Sequence, residues 1–185
     1  MKEQEQPQRE VLWEGKRIRL ATLTHDRIHE LREYRNLPKM RRWLNYGKEI
    51  SEEQQEQWFA GLIGDRSRIV LADEDRAGNF IGLSSGSQWD HDNRSIVTTQ
   101  IIFPPYWNMG YGRECLGNFT MFLLEKCDIH RAWFLVTPDN ISAFKMDLAL
   151  GFQVEGVQKD ALFRDDRYYD CVMMAAIKGE WEYHE

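Results

Sequence analysis

The sequence lacks several features that would define a protein class. It has no run of about 18 apolar residues, so a membrane-spanning helix is not expected. Its first ten residues are polar and of mixed charge, which predicts an unstructured tail over 1–10 and neither a secretion signal nor an anchor. No CxxC or Cys/His cluster of zinc spacing occurs. The cysteines, Cys115, Cys127 and Cys171, lie singly in apolar stretches, which predicts reduced core side chains and a cytoplasmic location.

Basic residues are the scarcer charged kind. The chain has 24 Lys and Arg against 30 Asp and Glu, a formal net charge of -6, and no basic stripe. A general nucleic-acid-binding protein is therefore not expected. An acidic protein suits a cationic substrate, although many enzymes with neutral substrates are equally acidic. A length of 185 residues predicts a single domain, over 11–177, followed by a polar tail over 178–185.

Residues 99–126 form the most informative stretch of the sequence. An apolar strand ends at Pro104, a turn with Gly110 and Gly112 follows, and the apolar residues then recur at helical spacing as far as residue 126. Glycine permits positive φ, and the first turn of a helix leaves main-chain N–H groups unpaired. We therefore predict an anion site formed by these N–H groups, with Arg113 adding a cation. A tight turn without a ligand is the alternative, because the glycine spacing matches neither dinucleotide-binding nor P-loop fingerprints.

The remaining segments predict an α/β (α+β) fold with a mixed, mostly antiparallel sheet of about seven strands flanked by four helices. Helix 111–126 lies between two predicted strands, so those two should be parallel. Residues 39–50 are predicted to be a mobile connection and a candidate lid, with Arg41, Arg42, Trp43 and Tyr46. The predicted strands are 16–23, 68–72, 79–87, 94–103, 132–136, 152–163 and 168–177, and the predicted helices are 24–36, 51–64, 111–126 and 140–151.

Two motifs resemble signatures of the GNAT superfamily of acyl-CoA-dependent N-acyltransferases. Residues 104–114, PPYWNMGYGRE, resemble its pyrophosphate turn, P-x-Y-W-x-x-G-Y-(A/G)-x-E. Residues 140–156 resemble its second signature, N-x-x-(S/A)…L-G-F-x-x-E-G. The likeness is greatest to the branch of ribosomal-protein N-terminal, polyamine and nucleotide-sugar amine acetyltransferases. The resemblance implies acetyl transfer from acetyl-CoA to a primary amine by direct attack in a ternary complex. It also implies a small-molecule or peptide acceptor, no metal, and a homodimer.

The resemblance implies coenzyme contacts made mainly by the main chain. The strand 101–103 would pair with the pantetheine amides where the fourth and fifth strands diverge, and an N–H such as that of Ile102 would polarise the thioester carbonyl. The turn would hold the pyrophosphate. Asn140 would bind the pantetheine arm, and its alternative role is an ordinary helix N-cap. The implied coenzyme-binding residues are Ile101, Ile102, Phe103, Met109, Gly110, Tyr111, Gly112, Arg113, Glu114 and Asn140.

The acid and base positions depart from the family pattern. Asp147 stands where many relatives have a tyrosine acid, seven residues after the motif asparagine, and its alternative is a solvated helix residue. Val97 and Thr98 stand where many have a strand glutamate. His91 has the titration range of a base, and its alternative is a solvated loop histidine. Asp147 and His91 are therefore the candidate catalytic residues.

Arg35, Trp43 and Tyr106 are the candidate acceptor-binding residues. Their alternatives are a helix-end cation for Arg35 and aromatic packing for the other two. The basic stretch 41–43 favours an anionic acceptor, whereas the net charge favours a cation. The absence of the tyrosine favours a second hypothesis, a module that binds acyl-CoA without transfer. A nucleotide-binding protein unrelated to the superfamily is a third.

Overall fold

The computed structural model describes residues 7–44 and 48–184 of the chain. The predicted α/β class with a mostly antiparallel sheet is confirmed, and the described residues form eight strands and five α-helices. The strands are β1 (Val11–Glu14), β2 (Ile18–Thr22), β3 (Ile69–Asp75), β4 (Phe80–Asp90), β5 (Ser95–Ile102), β6 (Arg131–Val136), β7 (Gln153–Arg164) and β8 (Arg167–Ile177). The helices are α1 (Ile28–Asn36), α2 (Pro38–Leu44), α3 (Glu52–Ala60), α4 (Tyr111–Lys126) and α5 (Ile141–Ala149).

Helix α2 corrects the predicted open connection over 39–50. Pro38 ends α1, as expected, but it also stands at the first residue of α2, where its missing N–H costs nothing and its fixed φ suits a helix. Tyr46 lies outside the described residues. The predicted capping box of α3 is confirmed, because the Ser51 hydroxyl accepts from Gln54 N–H and the Gln54 side chain accepts from Ser51 N–H.

The sheet has the strand order β1-β2-β3-β4-β5-β6-β8-β7. Only the β5–β6 pair is parallel in the described sheet, with α4 as its crossover, which confirms that prediction. This pairing covers only Ser95–Val97 with Arg131–Trp133. Beyond Val97 the main-chain ladder ends, so the second half of β5 is not paired with β6. We call the space beside this half of β5 the cleft.

Each face of the sheet has its own apolar cluster. Phe119 and Leu123 of α4 are fully buried against one face, which α5 also covers. Leu31 of α1 and Phe59 of α3 are buried against the other face. Alternate residues of β5 enter the two clusters, as the period of a strand requires. The strand that borders the cleft is therefore held rigidly from both sides.

The cysteines lie singly and form no disulfide among the described residues. Cys115 and Cys171 are buried, Cys127 is partly buried, and all are free thiols. Within the predicted tail, Arg9 forms an ion pair with Glu74, which departs from the expectation of an unstructured segment at this residue. Residues 1–6 lie outside the described part, and the domain bounds stay a prediction. No helix in the described ranges has the length and hydrophobicity needed to cross a membrane.

Candidate active site

The turn before α4 presents open main-chain donors. Gly110 is the N-cap of α4 and has a left-handed φ of 84°. The first helical bond runs from Glu114 N–H to Gly110 O at 3.3 Å. Within the described residues, the N–H groups of residues 109–113 donate to no other protein group. These donors lie at the positive end of the α4 dipole, as the prediction of an anion site requires.

Arg17 holds this turn in place, and the sequence analysis missed it. Its Nη1 donates to Met109 O at 3.0 Å, and its guanidinium lies 4.9 Å from the centroid of the Tyr111 ring. Its Nε lies 2.7 Å from Glu114 Oε2, and its main-chain N–H also donates to that carboxylate. No local pattern signals this role, because Arg17 lies 97 residues before Glu114.

The structure corrects the role of Glu114. Its carboxylate is buried against Arg17 and its N–H begins the α4 ladder. Neither group is therefore left to contact a ligand. Met109, Gly110 and Arg113 are exposed, and Tyr111 and Gly112 are partly buried. Glu114 supports the turn from inside the protein rather than contributing a contact on its outer face.

We expected Ile101, Ile102 and Phe103 to contact the coenzyme, but only Ile102 directs its main-chain N–H into the cleft beside β5. Phe103 N–H donates to Ile81 O of β4 at 2.9 Å. Because donors alternate along a strand, Ile101 N–H also points to β4, whereas Ile102 N–H points toward the β6 side. The Ile102 carbonyl, on that same side, accepts from Trp107 Nε1 at 2.6 Å. Ile101 and Phe103 are core residues, and their N–H groups are used by the sheet.

Asn140 caps α5, which lies against the turn. Its side-chain oxygen accepts from Ala143 N–H at 3.4 Å, so the N-cap role is present. A Cβ placed on Gly112 would lie 3.4 Å from Met146 Sδ of α5. The pyrophosphate turn and the second signature are therefore adjacent in space.

A family model described as an acetyltransferase (GNAT) domain matches residues 17–153. The chain belongs to the GNAT acetyltransferase family. It is an acyl-CoA-dependent N-acetyltransferase, as the resemblance implied. Spermidine N(1)-acetyltransferase of Vibrio cholerae is 25% identical over 154 residues, covering 83% of this chain and 87% of that protein. YoaA, an uncharacterised N-acetyltransferase of Bacillus subtilis, is 24% identical over 123 residues, covering 66% of this chain and 70% of that protein.

A solved structure shows the same fold. The crystal structure of spermidine N-acetyltransferase from Vibrio cholerae in complex with CoA and spermine has a TM-score of 0.86 to this chain at 20% identity. The match covers 90% of this chain and 98% of that chain. The open amides of the turn and the cleft beside β5 suit an acyl-CoA in this GNAT acetyltransferase.

Asp147 of this acetyltransferase is buried rather than solvated. Its exposed fraction is 3%, and burial raises the pKa of its carboxyl group from 3.8 to about 7. No hydrogen-bond partner of this carboxyl group occurs among the described residues, so desolvation is the cause of the shift. The surface alternative is wrong, and a carboxylic acid that keeps its proton near neutral pH is chemically able to donate it.

His91 does not belong to the site. It is exposed in the β4–β5 turn, its Nε2 lies 2.8 Å from Arg66 O, and it stacks on Trp89 at 4.8 Å between centroids. Gly82 pairs with Ile102 and Asp90 pairs with Ser95. The cleft end of β5 is therefore about 23 Å from the His91 turn along the strand. The predicted base role of His91 is wrong, because the hairpin points it away.

The candidate acceptor residues are not all brought together. Arg35 is buried between α1 and α3, where its guanidinium lies 4.6 Å from the centroid of the Trp58 ring. Arg35 stands in the last turn of α1, as its helix-end alternative expected, and its acceptor-binding role stays a prediction. Tyr106 is partly buried and lies edge-on to Tyr111, 6.0 Å between centroids, so it borders the turn. Trp43 of α2 is 39% exposed and lies 5.3 Å from the Arg164 guanidinium.

Arg164 is a second residue that the sequence analysis did not single out, because it lies between the predicted strands 152–163 and 168–177. It is buried and forms an ion pair with Asp139, next to the α5 cap. Its Nη1 donates to Arg42 O at 3.4 Å, and its guanidinium lies 4.5 Å from the centroid of the Tyr169 ring. Arg164 therefore joins α2, the β7–β8 hairpin and the loop that leads to Asn140. Among the described residues, no cluster of three or more metal-ligating side chains is found.

Proposed function

We propose that this enzyme transfers the acetyl group of acetyl-CoA to a primary amine of a small polycationic molecule of the polyamine class. One observation carries the transferase part: the open N–H groups of residues 109–113 at the start of α4, beside the point where β5 and β6 diverge. The similarity to a spermidine acetyltransferase over 83% of this chain supports the polyamine class.

Charge pairing in the basic stretch also supports a cationic acceptor. Arg41 lies 3.9 Å from Glu49, and Arg42 lies 3.9 Å from Asp165. These cations therefore have carboxylate partners within the protein, so they do not argue for an anionic acceptor. The net charge of -6 then favours a cation, which the field of an acidic protein attracts.

Different residues would bind the coenzyme, stabilise the developing charge and donate the proton. Acetyl-CoA supplies the activated acyl group, and the residues 109–113 would hold its pyrophosphate. The amine lone pair attacks the thioester carbonyl carbon, and Ile102 N–H, which points into the cleft, would stabilise the negative charge on the carbonyl oxygen. Breaking the C–S bond releases a thiolate, to which the acid form of Asp147 would give its proton. Positioning both substrates supplies much of the rate, so water suffices to remove the ammonium proton.

The test combines calorimetry with an assay for released thiol. We expect acetyl-CoA to bind and spermidine or spermine to give turnover above that of an amino-sugar nucleotide and a peptide with a free N-terminus. Failure of acetyl-CoA to bind would overturn the proposal. Binding without turnover across all four acceptors would favour the non-transferring module, and displacement of acetyl-CoA by ATP would favour a nucleotide-binding protein. The homodimer and the cytoplasmic location stay predictions.

A further inference from the structure

A closed ring of polar side chains crosses three strands beneath α4. Asp73 of β3 and Ser84 of β4 are fully buried, and Gln100 of β5 is partly buried. Asp73 Oδ1 lies 2.7 Å from Ser84 Oγ, and Ser84 Oγ lies 2.8 Å from Gln100 Oε1. Gln100 Nε2 closes the ring at 2.6 Å from Asp73 Oδ2. Each side of the ring is thus a hydrogen-bond distance.

The number of hydrogens in this ring determines the charge of Asp73. Three contacts need three hydrogens. The Ser84 hydroxyl provides one and the Gln100 amide directs one into the ring, so the third must be a proton on the Asp73 carboxyl group. Exchanging the oxygen and nitrogen of the Gln100 amide does not change this count. With Asp73 ionised, one contact would bring two acceptors together without a hydrogen.

Among the described residues, no cation forms an ion pair that would compensate a charge on Asp73. Cys115 of α4 interacts electrostatically with Asp73, and burial is the largest cause of the raised pKa of that thiol. Glu114 and Arg17 lie beyond Cys115 and are paired with each other. Leu20 is the partner of Asp73 on β2, and no ion pair to Asp73 occurs in the described ranges. Burial raises the pKa of Asp73 from 3.8 to about 7, although the hydrogen bonds from Ser84 and Gln100 act to lower it.

The charged neighbours of Asp73 along β3 are paired elsewhere. Glu74 points to the opposite face of the sheet, where it pairs with Arg9 and Arg27. Asp75 accepts from Asn79, in the β3–β4 turn. Both carboxylates therefore form their hydrogen bonds and ion pairs with residues other than Asp73.

The ring is connected to the cleft through Gln100. This residue lies on β5 past Val97, where the ladder to β6 has ended. By the alternation that Phe103 N–H establishes, the main-chain N–H of Gln100 points to the cleft side, as that of Ile102 does. An anchored Gln100 side chain therefore fixes the main-chain donors that border the cleft. Loss of the Asp73 proton would set Ser84 Oγ against Gln100 Oε1 without a hydrogen between them, so the Gln100 side chain would lose its bond to Ser84 and keep only the bonds that its Nε2 donates.

We propose that Asp73 is a positioning residue which, as a neutral carboxylic acid, fixes Gln100 and with it the edge of β5 that holds the acyl donor. The proposal rests on the proposed function, because the cleft is taken as the acetyl-CoA site. Its consequence is that the full chain binds acetyl-CoA best when Asp73 is protonated. Asp73 acts through Gln100 and does not itself reach the substrate.

The matched variant is D73N, because the asparagine amide supplies the third hydrogen at every pH. S84A removes the hydroxyl that links the other two side chains and breaks the ring at every pH. Carboxyl carbon NMR of ¹³C-labelled full-length protein identifies Asp73 as the signal absent from D73N. Calorimetry then measures the acetyl-CoA affinity of the wild type, D73N and S84A between pH 5.5 and pH 8.5. These limits lie about 1.5 pH units below and above the expected titration, where the protonated and the ionised form of Asp73 differ in amount by a factor of about 30.

We expect the Asp73 signal to titrate near neutral pH, and the affinity of the wild type to fall about tenfold from the lowest to the highest pH. D73N should show only the pH dependence of the ligand itself, and S84A should bind weakly throughout. An Asp73 signal that is already ionised at pH 5.5 would overturn the hydrogen count. Equal pH dependence in the wild type and D73N would overturn the positioning role. Absence of acetyl-CoA binding in all proteins would overturn the proposed function and the role of Gln100, while the NMR titration would still decide the proton on Asp73.

Discussion

Arg17 Nε lies 2.7 Å from Glu114 Oε2, and this ion pair fastens the segment before β2 to the first turn of α4. The Glu114 carboxylate is buried, whereas Arg17 is half exposed. The same guanidinium donates to Met109 O, so it fixes the main chain on both sides of Gly110. The donors of the turn are therefore held in one arrangement before any ligand binds, which lowers the entropic cost of binding.

Replacing Arg17 by alanine should weaken acetyl-CoA binding. The turn would lose its bond at Met109 O and the partner of a buried carboxylate, both of which hold the amides in place. We expect the dissociation constant to rise about tenfold, or about 1.4 kcal/mol. Isothermal titration calorimetry measures it directly.

R17K separates positioning from simple charge attraction. Lysine keeps the charge but cannot reach Met109 and Glu114 with one planar fork. If positioning dominates, R17K should bind nearly as weakly as R17A. Binding of R17K at the wild-type level would contradict the positioning role and would assign the effect of Arg17 to its charge.

Replacing Gly110 by alanine should cost both stability and affinity. Its φ of 84° is left-handed, and an added Cβ would lie 3.0 Å from Arg17 Nη2. The conformation alone costs about 1–2 kcal/mol for an L-residue. G78A is the control, because Gly78 has a φ of 86° in the β3–β4 turn with no atom near its added Cβ. Urea denaturation should show similar losses for both, whereas calorimetry should show weaker acetyl-CoA binding only for G110A.

Replacing Asp147 by asparagine should abolish the fall in activity that the wild type shows as the pH rises. The acid form of Asp147 is present below its pKa of about 7, so the turnover of the wild type should fall as the pH rises through that value. D147N has no proton to donate and should lower kcat by about a hundredfold with little change in the KM for acetyl-CoA. A kcat of D147N equal to that of the wild type at pH 6 would exclude Asp147 as the acid.

The same substitution should change how stability depends on pH. A carboxyl pKa raised from 3.8 to about 7 means that the folded state binds the proton more tightly than the unfolded state. The stability from this group is full below the unfolded pKa, near pH 4, and is lost as the pH rises through about 7. Urea unfolding at pH 5 and pH 8 should therefore show a smaller loss of stability in D147N than in the wild type. An equal loss of stability in the two proteins would mean that the Asp147 carboxyl group is solvated in the folded state.

Replacing His91 by alanine should leave catalysis intact. The residue lies at the opposite end of the β4–β5 hairpin from Ile102, and its side chain contacts Arg66 O and Trp89. Removing one exposed hydrogen bond costs about 1 kcal/mol or less. Steady-state kinetics should give kcat and KM within twofold of the wild type, and a large fall in kcat with unchanged stability would return His91 to the list of catalytic candidates.

Short sequence patterns predicted the turns and helix starts that interactions between near neighbours in the chain stabilise. The glycines and helical spacing around Gly110 predicted the turn and α4, and Ser51 with Gln54 predicted the start of α3. The same reasoning missed α2, because Pro38 was taken as the end of one helix and not as the beginning of another. Proline breaks a helix and begins one for the same reason, its missing N–H, and its neighbours alone did not decide between the two.

By itself the sequence determined the family and most of the order of the elements, and it predicted where an anion site would lie, because these depend on residues close together in the chain. Only the tertiary structure decided which side chains are buried and which of them meet. It paired Arg17 with Glu114, joined Asp73 to Gln100, buried Asp147 and carried His91 away from the cleft. Partners across a sheet come from distant strands, and the burial that shifts a pKa depends on the whole fold, so no local pattern contains either.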